Sequence, residues 1–139
     1  MRLSTIILAG ASALMIKATA FAGQVQPAII DVDLTTNFAG GDMVTTRYSR
    51  FDNTFIGCGI RKFDDGAGGA TAFGFCQAED RDGENAFCNT ANAALLDAIS
   101  SSADYGYITF SWNPDTGECI RIGFSNQSFY LPKGLMSNE

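Results

Sequence analysis

The sequence predicts an α+β domain: an antiparallel β-sheet built from hairpins, one helix packed on a face, and two disulfides. Three observations carry this expectation. Hydrophobic periodicity runs strands, one helix, then strands. Turn sequences rich in Gly, Asp and Asn separate the apolar segments. Four cysteines, Cys58, Cys76, Cys88 and Cys119, follow what reads as an export signal. A β-sandwich with an inserted helix is the alternative arrangement of the same elements.

Residues 1–22 have the three parts of a secretory signal peptide. Arg2 gives the positive start, Thr5 to Ile16 an apolar run, and Ala20-Phe21-Ala22 a small-x-small cleavage site, with Lys17 an unusual charge between the last two. The run is shorter than the roughly 20 residues that a spanning helix needs. No cysteine follows the cut to carry a lipid, and no later segment is long and apolar enough to cross a bilayer as a helix. Residues 23–139 are then expected as a single small exported domain, periplasmic or extracellular, with a short signal of bacterial style.

Nine basic and fifteen acidic residues give a net charge of −6, and two of the basic residues leave with the signal. An acidic chain with no basic cluster is repelled by phosphate backbones, so nucleic acid is an unfavourable partner. The sequence contains no histidine. That removes the commonest general base, the usual activator of Ser and Cys nucleophiles, and the commonest metal ligand.

The elements follow in order. Ala28 to Thr35 alternates, with Ile30, Val32 and Leu34 on one side, and predicts a half-buried strand. Asn37 to Asp42 predicts a glycine-bearing turn, and Met43 to Phe51, rich in Thr, Val and Tyr, a second strand. Phe55 to Phe63 and Ala70 to Glu79 predict strands joined through Asp64 to Gly69, whose glycines permit positive φ. One face of the latter strand is small throughout (Ala70, Ala72, Gly74, Cys76, Ala78), where a helix or backbone can approach closely. The other carries Thr71, Phe73, Phe75 and Gln77.

Asp80-Arg81-Asp82-Gly83 predicts a hairpin turn that sets Asp80 against Glu84 and Cys76 against Cys88. Thr90 to Ser101 predicts a helix with an apolar face of Ala91, Ala94, Leu95, Ala98 and Ile99, capped by Asn89, Thr90 or Asn92. A last hairpin places Ile108, Phe110 and Trp112 against Ile120, Ile122 and Phe124, with Trp112 opposite Ile120 and a turn at Asn113 to Gly117.

The cysteines read as two disulfides, because no Cys-x-x-Cys pair and no histidine co-ligand is present for zinc. The Asp-Gly turn favours Cys76–Cys88 with Cys58–Cys119. Cys58–Cys76 with Cys88–Cys119 is the rival pairing, permitted by a wide loop at Gly66 to Gly69. Asp31 with Asp33, Asp64 with Asp65, and Asp80, Asp82 and Glu84 read as surface and turn acids. The last group lacks the glycine spacing of a calcium loop. Neither Lys62 nor Lys133 follows a serine at the Ser-x-x-Lys spacing of Ser-Lys chemistry. Asn126-Gln127-Ser128 is a glycosylation sequon that matters only in a eukaryotic source.

The outer face of the last hairpin is rich in hydroxyls and aromatics, and Tyr105, Tyr107, Arg121 and Tyr130 form its candidate contact surface. The expected role is therefore a small exported binding module without enzymatic activity or cofactor, acting on a protein or glycan. A histidine-free hydrolase using paired carboxylates and a structural subunit of an extracellular assembly are the alternatives.

Overall fold

The computed structural model describes residues 23–132, so the predicted signal peptide lies outside the described residues. In chain order the elements are β1 (Asp31–Asp33), β2 (Phe38–Asp42), α1 (Met43–Arg47), β3 (Phe55–Asp64), β4 (Ala70–Glu79), β5 (Asn85–Thr90), α2 (Ala93–Ser100), β6 (Tyr107–Trp112) and β7 (Cys119–Ser125), followed by a 3₁₀ turn at Ser128–Tyr130. All strand neighbours are antiparallel, in a four-stranded sheet β1-β2-β6-β7 and a three-stranded sheet β3-β4-β5. The fold is α+β, with one main helix and two disulfides. The strands, expected in one sheet, divide between two because β2 pairs with the distant β6 and leaves β3-β4-β5 as a separate meander.

One core lies between the sheets. Val32, Ala39, Ile108, Phe110, Trp112 and Ile122 enter it from the larger sheet, and Ile56, Cys76, Ala78, Ala86 and Cys88 from the smaller. Alternation does this directly: buried and less buried residues alternate along all of β5 and β6, so each strand gives one face to the core.

Helix α2 closes the core with Ile99 buried and Leu95 packed against it. Asn92 caps its start, Oδ1 accepting from the Ala94 and Leu95 N–H groups at 2.9 and 3.4 Å. Ala91 and Ala94, expected on the apolar face, are exposed. The small strip of β4 works as expected. A Cβ on Gly74 would lie 2.6 Å from Ile99 Cδ1, so glycine there is what lets the helix settle on the sheet.

Three local expectations are corrected. Residues 38–42 form β2 rather than a turn, and the reversal comes earlier, at a turn ending with Asn37 in the left-handed region (φ 53°). Leu34 lies in that turn and is exposed. The glycines of β2 serve close approach instead: a Cβ on Gly41 would sit 2.7 Å from the Ile30 Cα. Met43–Arg47 is helical rather than extended. Asp42 caps it, Oδ1 accepting from Thr45 N–H at 2.6 Å, and this local bond outweighs the strand preference of Val44, Thr45 and Thr46.

The third correction concerns the last hairpin. Phe110 faces Ile122 and Ile108 faces Phe124, but Trp112 faces Cys119, with a bulge that leaves out Ile120. The extra residue reverses the inside–outside phase of β7. Ile120 is thrown out to solvent and Cys119 is turned into the core.

That reversal makes possible the observed disulfides, Cys58–Cys76 and Cys88–Cys119, in place of the favoured Cys76–Cys88. Cys76 does face Cys88, as the turn predicts. It also faces Cys58 on its other side. A residue of a central antiparallel strand turns its N–H and C=O to one neighbour and forms the narrow, non-hydrogen-bonded pair with the other. The Asp80 N–H to Glu84 C=O bond sets the alternation so that Cys76–Cys88 is the wide pair. Cys58–Cys76 is the narrow one, with 4.0 Å between Cα atoms. Cys88 then bonds to Cys119, joining the two sheets where Asn89 donates to the Gly117 carbonyl. Two such bonds are the mark of a chain that folds outside the reducing cytoplasm. No helix among the described residues is long and apolar enough to cross a membrane.

Candidate functional site

Two aromatic surfaces lie on the outer faces of the two sheets. The first contains the residues that the sequence singles out. Tyr107 is half-buried and stacks on Tyr130, their ring centroids 5.8 Å apart, and Tyr130 meets Phe129 edge-on at 4.6 Å. A Cβ on Gly40 would collide with the Tyr107 hydroxyl, so the glycine of β2 is what allows the ring to lie across the strand. Arg121 stands over the Phe38 ring at 5.4 Å and donates to Thr109 Oγ1 at 3.1 Å. Tyr105 is well exposed, while Tyr130 is buried. The structure thus joins Tyr107 with Tyr130, places Arg121 against Phe38, and leaves Tyr105 the more open of the three tyrosines.

Burial, and after it the nearby Tyr107 and Asp42, pushes the Tyr130 phenol above its ordinary pKa of 10.0. The folded state therefore holds this proton longer than the unfolded chain. The stabilisation is complete below pH 10.0 and is lost as pH rises through the folded value. Denaturant unfolding on either side of that pH should show an alkaline loss of stability that Tyr130→Phe reduces. An equal loss in both proteins would contradict this assignment.

The second surface is on β3-β4-β5. Phe63, Phe73 and Phe87 are 54%, 39% and 52% exposed. With half-buried Phe75 they form a continuous row across three strands: Phe63–Phe73 at 6.0 Å, Phe73–Phe75 at 6.3 Å and Phe75–Phe87 at 6.3 Å. Arg61 lies over Phe75 at 5.0 Å. Gly59, opposite Phe75, gives that ring its place, since a Cβ there would be 2.9 Å from the ring edge. Phenylalanine has no polar atom to satisfy in water, so a row of four at the surface is an exposed apolar patch of the kind that marks contact sites.

Sequence reasoning missed this row, although its signal was present. β4 carries small residues on one face and Phe73 and Phe75 on the other. Once the small face receives the helix, the phenylalanines must point away from the core.

The acids divide into occupied and solvated groups. Asp80 is buried: one oxygen accepts from the Asp82 and Glu84 N–H groups at 2.9 and 3.0 Å, the other from Val32 N–H at 3.4 Å. Asp42, also buried, accepts from Ala28 and Thr45 N–H. The Thr36 hydroxyl, followed by backbone amides, holds the Asp33 carboxyl below the usual range. Asp31, Asp80, Arg81 and Asp82 line a shallow concavity together with Ile29 and Ile30. Among the described residues no cluster of three or more Cys, Asp or Glu is arranged to hold a metal ion, and every buried side-chain polar atom has a hydrogen-bond partner.

No protein-family model, no curated protein and no solved structure matches the chain.

Proposed function

We propose that this is an exported interaction protein without enzymatic activity, whose working surface is the phenylalanine row on the outer face of β3-β4-β5. The observation that carries the proposal is the exposure of Phe63, Phe73 and Phe87 in one line continued through Phe75. Burying such a row against a partner releases about 25 cal/mol for each Å² of apolar surface covered. Flat aromatic surface also supplies contact area at little conformational cost. The disulfides and the predicted signal peptide support a site of action outside the cytoplasm, in the periplasm or beyond the cell.

A hydrolase would require two carboxylates free to face a substrate at about 5–9.5 Å. Of the acids lining the Asp31–Asp80–Asp82 concavity, Asp80 has both oxygens held by backbone N–H groups, which is the work of a turn-forming residue.

A Phe73→Ser, Phe87→Ser variant should melt near the wild-type temperature, since both side chains are exposed. Cross-linking in the exported fraction of the native source, followed by mass spectrometry, should recover a partner with the wild-type protein and lose it with this variant. A partner that persists there but is lost with Tyr105→Ala, Tyr107→Ala would move the working surface to the larger sheet.

A further inference from the structure

We infer that two copies of this chain pair edge to edge through β3, antiparallel, about a two-fold axis at Phe63. β3 is an edge strand of its sheet, and residues 61–71 are all exposed, so the far half of the β3–β4 hairpin stands clear of the core. The hairpin closes with the Asp65 N–H donating to the Gly69 carbonyl at 3.2 Å. Alternation from that bond makes Phe63–Thr71 and Arg61–Phe73 hydrogen-bonded pairs. Ile60, Lys62 and Asp64 therefore turn both backbone groups away from β4. Among the described residues no other backbone segment bonds to them; Arg61 Nη1 rests on the Ile60 carbonyl at 3.3 Å. This is an open template for another strand.

The side chains specify which strand. Residues 61–65 read Arg-Lys-Phe-Asp-Asp, a charge sequence complementary to itself when reversed. Antiparallel pairing centred on Phe63 sets Lys62 opposite Asp64 of the second copy, Arg61 opposite its Asp65, and Phe63 opposite its counterpart. A slip of the axis to residue 62 opposes Lys62 to Lys62, and a slip to residue 64 opposes Asp64 to Asp64. Opposite charges across a ladder stabilise it and like charges destabilise it, so a single register is selected. The salt bridge found among the described residues is Arg81–Asp82, so among those residues these four charges have no ion partner. Bonds from Ala67 and Gly69 N–H groups hold the Asp65 carboxyl below the usual range, so it is firmly anionic.

The backbone phase agrees. Phe63 turns its N–H and C=O toward β4, so Phe63 facing Phe63 is the narrow pair, where side chains come closest, while Lys62–Asp64 is the wide pair that exchanges two hydrogen bonds. The contact is isologous and closes on itself. The result is a six-stranded sheet in which the phenylalanine row runs unbroken through the axis from Phe87 of one copy to Phe87 of the other. Charge on an edge also serves to keep strands apart, and the order of the charges is what separates the two cases experimentally.

The test is sedimentation velocity on the oxidised protein. Wild type should form a dimer that weakens as salt is raised. Two half-reversals, Arg61→Asp with Lys62→Asp, and Asp64→Lys with Asp65→Lys, should each weaken the dimer at least about tenfold in Kd, and an equimolar mixture of the two should restore it as a heterodimer. Because Asp64 and Asp65 also bond to loop amides, the single pair Lys62→Asp and Asp64→Lys provides the same comparison with less disturbance, checked by melting temperature. A wild-type monomer throughout, or a dimer unaffected by either half-reversal, overturns the inference. Phe87→Ser lies far from the axis and should leave the dimer intact, so loss of the partner-binding face and loss of the dimer are distinguishable.

Discussion

Reduction of the two disulfides is expected to unfold the domain. The Cys58–Cys76 and Cys88–Cys119 bonds span 18 and 31 residues of sequence. On the loop-closure account these contribute about 3 and about 4 kcal/mol. A whole domain has about 5–15 kcal/mol. The two bonds are not equivalent in position: the first lies within the smaller sheet, whereas the second joins the sheets and lies against Trp112 at the bulge. Cys88→Ser with Cys119→Ser should therefore lower the melting temperature more than Cys58→Ser with Cys76→Ser. Circular dichroism melts with and without reductant would check both statements. An unchanged transition in reductant would contradict the first, and equal losses the second.

Asp42→Ala is expected to cost about 3–5 kcal/mol, a large effect for one surface-sized side chain. Asp42 is 1% exposed, and its carboxylate accepts from Ala28 N–H and from Thr45 N–H, both at 2.6 Å. Its own N–H donates to the Ala28 carbonyl at 2.8 Å. One residue thus fixes the segment leading into β1, ends β2 and starts α1. Alanine would leave two N–H groups without partners and remove a helix cap. Asp42→Asn keeps one acceptor but turns an amide donor toward one of these N–H groups, so it should recover only part of the loss. Urea unfolding of the three proteins measures this. A cost below about 1 kcal/mol for alanine would mean that water replaces the carboxylate.

Asp42 also marks where the sequence stops being legible. β3 to β7 and α2 follow from periodicity and turn chemistry, because each is a local pattern with strong boundaries: Asp82-Gly83 for one hairpin, Asn92 for the helix. Residues 38–47 have equally clear local patterns that point the wrong way. Gly40-Gly41 resembles a turn, yet these glycines sit in a strand because Tyr107 and the Ile30 backbone press against them. Met43 to Arg47 resembles a strand, yet a buried acid upstream caps it into a helix. Both outcomes depend on contacts between residues far apart in sequence. The disulfide pairing failed for a different reason. Cys76 faces Cys88 as the turn predicts, but strand phase decides which of its two facing cysteines is the near one, and the bulge that sets Trp112 opposite Cys119 instead of Ile120 supplies the second partner. As for the contact surface, tyrosine is common at interfaces and so marks the larger sheet, whereas the phenylalanines are forced outward only by α2 occupying the opposite face of β4.

The Cys58–Cys76 bond has a consequence for the fate of the polypeptide itself. The tip of the β3–β4 arm is exposed, and Gly66 and Gly68 hold it in left-handed turns, which makes it a natural place for a peptidase to cut. Such a cut would fall between Cys58 and Cys76, so the amino-terminal fragment, carrying β1 to β3, would stay fastened to the remainder. The nicked protein would migrate as one species until its thiols were freed, and as two thereafter. The Cys58–Cys76 bond therefore lets the domain persist as a two-chain molecule after such a cut.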